Sequence, residues 1–144
     1  MDRGSAWCTL RAACLYPKVG VMSRVKSNHR ILLVNGYTTV QHLRALMLRM
    51  QGYHVDTAAD FNAARAVLAG ARTYDLIIVD VGHSADEGVA FCEEIKKQNS
   101  GLKVLMQVDG HLYLDRNSCP DQVVTKQEGP QHFVTEVERL LQAS

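Results

Sequence analysis

From Ile31 onward, short unbroken apolar runs alternate with stretches of helical period, and this alternation constrains the fold more than any other feature. Ile31-Leu32-Leu33-Val34 contains no polar residue, and Leu76-Ile77-Ile78-Val79 is the most apolar strand-like run in the chain. A parallel strand covered on both faces needs such a run, because both rows of its side chains are dry. The first helical stretch places Val40, Leu43, Met47 and Met50 at helical spacing, with Thr38 or Thr39 as N-cap and Gly52 at its end. Met47, Met50 and the strand residue Met106 are expected as core packing. Tyr53 to Thr57 alternates apolar with polar residues, as an edge strand does.

Asp60 then caps a second helix striped by Phe61, Ala64, Val67 and Leu68, with Gly70 at its end. A third helix runs from Asp86 to Gln98 and turns Val89, Cys92 and Ile95 inward. Val104-Leu105-Met106 and Val123-Val124-Thr125 are the fourth and fifth strands. Pro130 opens a last helix with Phe133, Val137, Leu140 and Leu141 inward. The signal is mixed over 109–119, where His111 to Leu114 suits a short helix that Cys119-Pro120 would break. Five βα units imply the α/β class: a five-stranded parallel sheet with right-handed crossovers and helices on both faces. Such sheets bind ligands beyond the carboxyl ends of their strands, where strand order reverses. The chemistry is therefore sought at Asn35-Gly36, at Asp80 to Gly82, at Val108 and at Lys126.

Composition narrows the function classes. A chain of 144 residues with 47% hydrophobic and 22% charged residues has room for one core and needs no disulfide or metal staple. The net charge of +1 gives no support to nucleic-acid or membrane binding, and no apolar run approaches the roughly 20 residues of a membrane span. Charge is uneven, however. Residues 1–28 hold Arg3, Arg11, Lys18, Arg24 and Lys26 against Asp2, without an apolar period. They read as a basic tail on a domain spanning 29–144, either disordered or an upstream extension with Met22 as the true start. Cys8, Cys14, Cys92 and Cys119 form no CxxC pair, which suits reduced cysteines and a cytoplasmic address.

Asp80 follows the most buried strand, where a carboxylate can serve as a nucleophile, as in aspartyl-phosphate formation. Lys126 ends the fifth strand within reach of the same pocket and can neutralise a phosphoryl group there. Spacing alone leaves the bland alternative open, in which Asp80 caps a loop and Lys126 is a solvated charge. His83, three residues past Asp80, suits an exposed loop, and the other histidines lack metal spacing.

The pieces ILLVNGY (31–37), GYHVDTAAD (52–60), YDLIIVD (74–80), Gly88, KVLM (103–106) and VVTK (123–126) together resemble a bacterial response-regulator receiver domain, from Arg30 to Gln142. The resemblance implies a flavodoxin-like fold, with Asp80 as phosphoacceptor and Lys126 contacting the phosphoryl group. It also exposes departures. The two acidic metal positions are Asn35 and Gly36, the phosphoryl-binding hydroxyl is Val108, and the aromatic switch position is Val123. The loop proline after the phosphoacceptor is Ser84, and the proline after the lysine is Gln127. Mg²⁺ is usually held through one or two carboxylates plus phosphate oxygens, so its binding is expected to be weak. The resulting expectation is an atypical or pseudo-receiver that is not an enzyme and stands without an output domain. It would act by contact with a histidine kinase or other signalling protein, without nucleic acid or membrane. The alternative is a small flavodoxin-like ligand-binding domain or enzyme, against which stands the lack of a Gly-rich phosphate loop after Val34. A nucleic-acid role for the basic tail has no interleaved aromatics behind it.

Overall fold

The computed structural model describes residues 28–34, 38–82, 86–108 and 119–142. The tail, Asn35, Gly36, His83, Ser84 and the ambiguous segment 109–118 lie outside the described residues. Five strands, β1 (Arg30–Val34), β2 (His54–Ala58), β3 (Leu76–Gly82), β4 (Lys103–Val108) and β5 (Gln122–Thr125), form one parallel sheet in the order β2-β1-β3-β4-β5. The helices are α1 (Thr38–Met50), α2 (Phe61–Leu68), α3 (Asp86–Gln98) and α4 (Gly129–Gln142), the last entered through a 3-10 turn at Lys126–Glu128. Among the described residues, no helix is long and apolar enough to cross a membrane.

The period of two along a strand explains the unbroken apolar runs. Leu32, Val34, Ile77, Val79, Val104 and Met106 point to one face and pack with Ala64 of α2 and Phe91, Cys92 and Ile95 of α3. Their neighbours Ile31, Leu33, Leu76, Ile78 and Leu105 point to the other, against Ala45 and Leu48 of α1 and Phe133, Val137 and Leu141 of α4. β2 takes the expected edge and alternates between exposed and buried positions. Phe91, absent from the expected inner face of α3, is fully buried and stacks on Phe61 with ring centroids 4.8 Å apart.

Local chemistry fixes the joints. Asp60 Oδ1 accepts a hydrogen bond from the Ala63 amide at 2.8 Å, capping α2 as anticipated. Gly52 turns the chain out of α1 with φ of 98°. Gly88 lets α3 press against β3: a Cβ there would lie 2.2 Å from Val81 Cγ1. Among the described residues Cys92 and Cys119 are free cysteines, and burial, seconded by the neighbouring Cys119, pushes the Cys92 thiol well up.

The orientation of α1 corrects the sequence reading. Val40, Leu43, Leu46 and Met50 are exposed at 36%, 58%, 54% and 71%. The inner row is instead Gln41, Ala45 and Leu48, while Met47 packs partly buried at the margin of the core. Gln41 faces inward because its amide Nε2 donates to the carbonyls of Ala58 at 2.7 Å and Leu33 at 3.3 Å. It thus ties together the carboxyl ends of β2 and β1, satisfying buried backbone acceptors that an apolar residue would leave open.

Candidate functional site

The sheet order places the topological switch between β1 and β3, because the chain moves outward to β2 on one side and to β4 and β5 on the other. Asp80 stands at that point near the carboxyl end of β3, its Cα in register with Gln107 of β4. A register shift between Asp80 and Gly82 bends the strand just beyond it, a common device for re-aiming a side chain beside a site.

The Asp80 side chain is 3% exposed and held by two cations. Lys126 Nζ, at the first residue of the 3-10 turn after β5, lies 2.7 Å from Oδ1. Arg44 Nη1, from α1, donates to Oδ2 at 2.7 Å and is itself 14% exposed. Lys126 reaches the carboxylate because β5 runs parallel to β4 and β4 to β3, so all three strands end on the same rim. Asp80 lines a cleft of about 450 Å³ with Val34, Asp60, Phe61, Arg65 and Glu87. Arg44 and Lys126 line a second hollow of about 300 Å³, between α1 and the start of α4, with Leu43, Gln107 and Phe133. Asp80 therefore borders one cleft while its cations border another.

Of the remaining expected positions, Val108 ends β4 and is 1% exposed, and its isopropyl group offers no donor to the site. Val123 lies partly buried on β5 against the α2–α3 side of the core. Arg44 and Gln41 were missed as site-forming residues. They sit three apart on the same helical face as Ala45 and Leu48, but their polar character hid that face from a reading of the hydrophobic period. Gln107 was also missed, and its side-chain oxygen is buried without a hydrogen-bond partner among the described residues.

Fold and site define a receiver-type signalling domain. The chain belongs to the response regulator receiver domain family, whose sequence profile matches residues 31–115, and it is thus a receiver domain of two-component signalling. It is 29% identical over 127 residues to the alkaline phosphatase synthesis transcriptional regulatory protein SphR of Synechococcus elongatus, across 80% of this chain and 49% of that protein. The chain spans about half the length of the curated relatives it matches. The solved response regulator TrrA of Thermotoga maritima, in complex with Mg²⁺–BeF, superposes with a TM-score of 0.68 at 26% identity, covering 78% of this chain and 98% of TrrA. TrrA solved in complex with the histidine kinase ThkA gives a TM-score of 0.66 at 27% identity, covering 78% of this chain and 98% of the matched one.

The Mg²⁺ ion that the family implies does not fit the residues present. The resemblance aligns Asn35 and Gly36, neither of them acidic, with the family's carboxylate positions. Both oxygens of Asp80 are engaged at 2.7 Å by ammonium and guanidinium groups. Among the described residues, no group of three or more His, Cys, Asp or Glu is placed to hold a metal ion.

Proposed function

We propose that this receiver relays its signal by protein–protein contact, with a histidine kinase or another signalling protein of the same pathway as partner. Asp80 is the acceptor position and Lys126 the cation that meets a phosphoryl oxygen. Neither nucleic acid nor membrane is required, and a cytoplasmic address suits the pathway. The observation that carries this reading is the Asp80 carboxylate at the switch point, with Lys126 Nζ at 2.7 Å from Oδ1 and an open cleft beside it. The exposed apolar face of α1 supports a contact role, because several large apolar side chains gathered on one exposed helix face suit a partner surface. A kinase partner is supported by the TrrA–ThkA complex.

Phosphorylation is inefficient in this reading, and docking is largely constitutive. In transfer from an acyl phosphate, an Asp80 oxygen attacks phosphorus and the acyl carboxylate leaves, while negative charge on the phosphoryl oxygens needs donors. Val108 supplies no hydroxyl, and Asn35 and Gly36 supply no carboxylate for a metal. Removing one well-placed donor typically lowers a rate by about 10²–10³. Incubation with acetyl phosphate and Mg²⁺, read by intact mass and peptide mapping, should give substoichiometric labelling confined to Asp80 and abolished in Asp80→Asn. Stoichiometric Mg²⁺-dependent labelling of Asp80 would overturn the inefficiency, and label elsewhere would overturn the acceptor assignment.

A further inference from the structure

We propose that Arg44 is the resident counter-cation of this domain, its guanidinium taking the place at Asp80 Oδ2 that a divalent metal would need. This rests on Asp80 being the central anion of the pocket, but not on whether a phosphoryl group reaches it. Three observations converge. The contact is a 2.7 Å charge-assisted hydrogen bond between side chains 14% and 3% exposed, so both charges have left bulk water and each depends on the other. Lys126 holds the other oxygen at 2.7 Å, so among the described residues this one carboxylate is paired with two cations, while Asp60 and Glu87 stand elsewhere on the lining of its cleft. A dication entering there would meet repulsion from both, and that repulsion is screened far less in a buried site than in water. The positions that would supply compensating carboxylates, Asn35 and Gly36, carry none.

The arrangement has a mechanical side. Arg44 comes from α1, on one face of the sheet, and Lys126 from the turn between β5 and α4. Asp80 pins both to the end of the central strand. The apolar outer face of α1 is therefore held in place by the same carboxylate that defines the acceptor position, without metal and without phosphorylation. Arg44 is a positioning residue: it acts through Asp80 on the placement of α1.

The test is a double-mutant cycle read by urea unfolding of the full chain, with Mn²⁺ broadening of backbone amide resonances at residues 79–81 as a second readout. Arg44→Gln should lower the folding equilibrium constant at least about tenfold in the wild-type background, since it strips one partner from a buried pair. In an Asp80→Asn background the same change should alter it less than about threefold, because the charge it served is gone. Equal losses in both backgrounds would reduce Arg44 to ordinary packing and overturn the proposal. If Arg44→Gln alone does not fold, recovery of folding in Arg44→Gln/Asp80→Asn supports the proposal, and failure of that double variant overturns it.

The metal arm separates exclusion from mere lack of ligands. Asn35→Asp with Gly36→Asp should bind Mn²⁺ at least about tenfold more weakly when Arg44 is kept than when Arg44→Gln is added, because the guanidinium holds the oxygen the ion needs. Equal Mn²⁺ affinity in the two would overturn the proposal. Neither arm uses a phosphodonor, so failure of acetyl phosphate labelling would strike the acceptor assignment and leave this result standing.

Discussion

Two single residues show how narrowly this sequence is tuned to its packing. Gly88 accepts Val81 Cγ1 at a point where a Cβ would stand 2.2 Å away, and Val81, being β-branched, has little freedom to swing aside. Gly88→Ala should therefore lower stability by about 1–3 kcal/mol through overpacking, less a helix-propensity gain of up to ~1 kcal/mol. Chemical denaturation checks this, and Val81→Ala added to the variant should recover part of the loss. Asp56 on β2 supports a different expectation. Burial works to raise its carboxyl, but hydrogen bonds from Tyr74 and Arg72 and the charges of Arg72 and Arg30 overcome it and hold it below the ordinary range. Tyr74 Oη donates to Oδ2 at 2.6 Å, and Arg72 Nη1 lies at 3.1 Å. A depressed carboxylate stabilises the fold above its unfolded value, near ~3.9, and loses that contribution as pH falls through the folded value. Asp56→Asn should thus be less stable than wild type at neutral pH and converge on it in acid. Thermal melts across that range test the sign, and a gap that widens on acidification would contradict it.

At the scale of the element, the sheet was legible in the sequence and one helix was not. Strands such as Ile31 to Val34 and Leu76 to Val79 announce themselves because a strand buried on both faces has no polar row to blur its pattern. Asp80 was legible for the same reason, as the first charge after the most apolar run. In α1 the apolar row Val40, Leu43 and Met50 points outward, while the inner row contains Gln41, which serves the carbonyls of β1 and β2. Arg44, on the adjoining inner row, serves Asp80. A polar side chain with a buried partner cannot be told from a solvated one until that partner's position is known, so hydrophobic periodicity chose the wrong face. If the outer face exists to meet a partner, Leu46→Gln with Met50→Gln should change stability by less than about 0.5 kcal/mol per site. The same pair should weaken the complex with the proposed kinase partner at least about tenfold, as loss of buried apolar anchors does. Calorimetric titration against the kinase measures this, and unchanged affinity would remove α1 from the interface.

For the whole molecule, the decisive feature is that, among the described residues, both halves of the core are built between Ile31 and Leu141. The cluster on the α2–α3 side runs from Leu32 to Val108 and the cluster on the α1–α4 side from Ile31 to Leu141, each filled mainly by strand and helix side chains, with Tyr74 and Leu102 joining the first from connecting segments. The central strand β3 feeds both, Ile77 and Val79 to one and Leu76 and Ile78 to the other, so the two layers should be lost together in one transition. Residues 1–21 carry basic charge but no apolar period with which to join either layer. A chain beginning at Met22 should accordingly unfold in a single transition with a midpoint within about 2 °C of the full chain, since a surface-level change of ~0.5 kcal/mol moves Tm by only that order in a domain of this size. Differential scanning calorimetry of both chains at one pH and salt concentration decides the matter. A fall of many degrees would mean that the basic segment buries apolar surface against the domain. A second transition in the full chain, absent from the shorter one, would mean that it folds as a unit of its own. An unchanged midpoint would place the whole of the cooperative structure between Met22 and Ser144, with the Asp80 ion-pair triad at its centre.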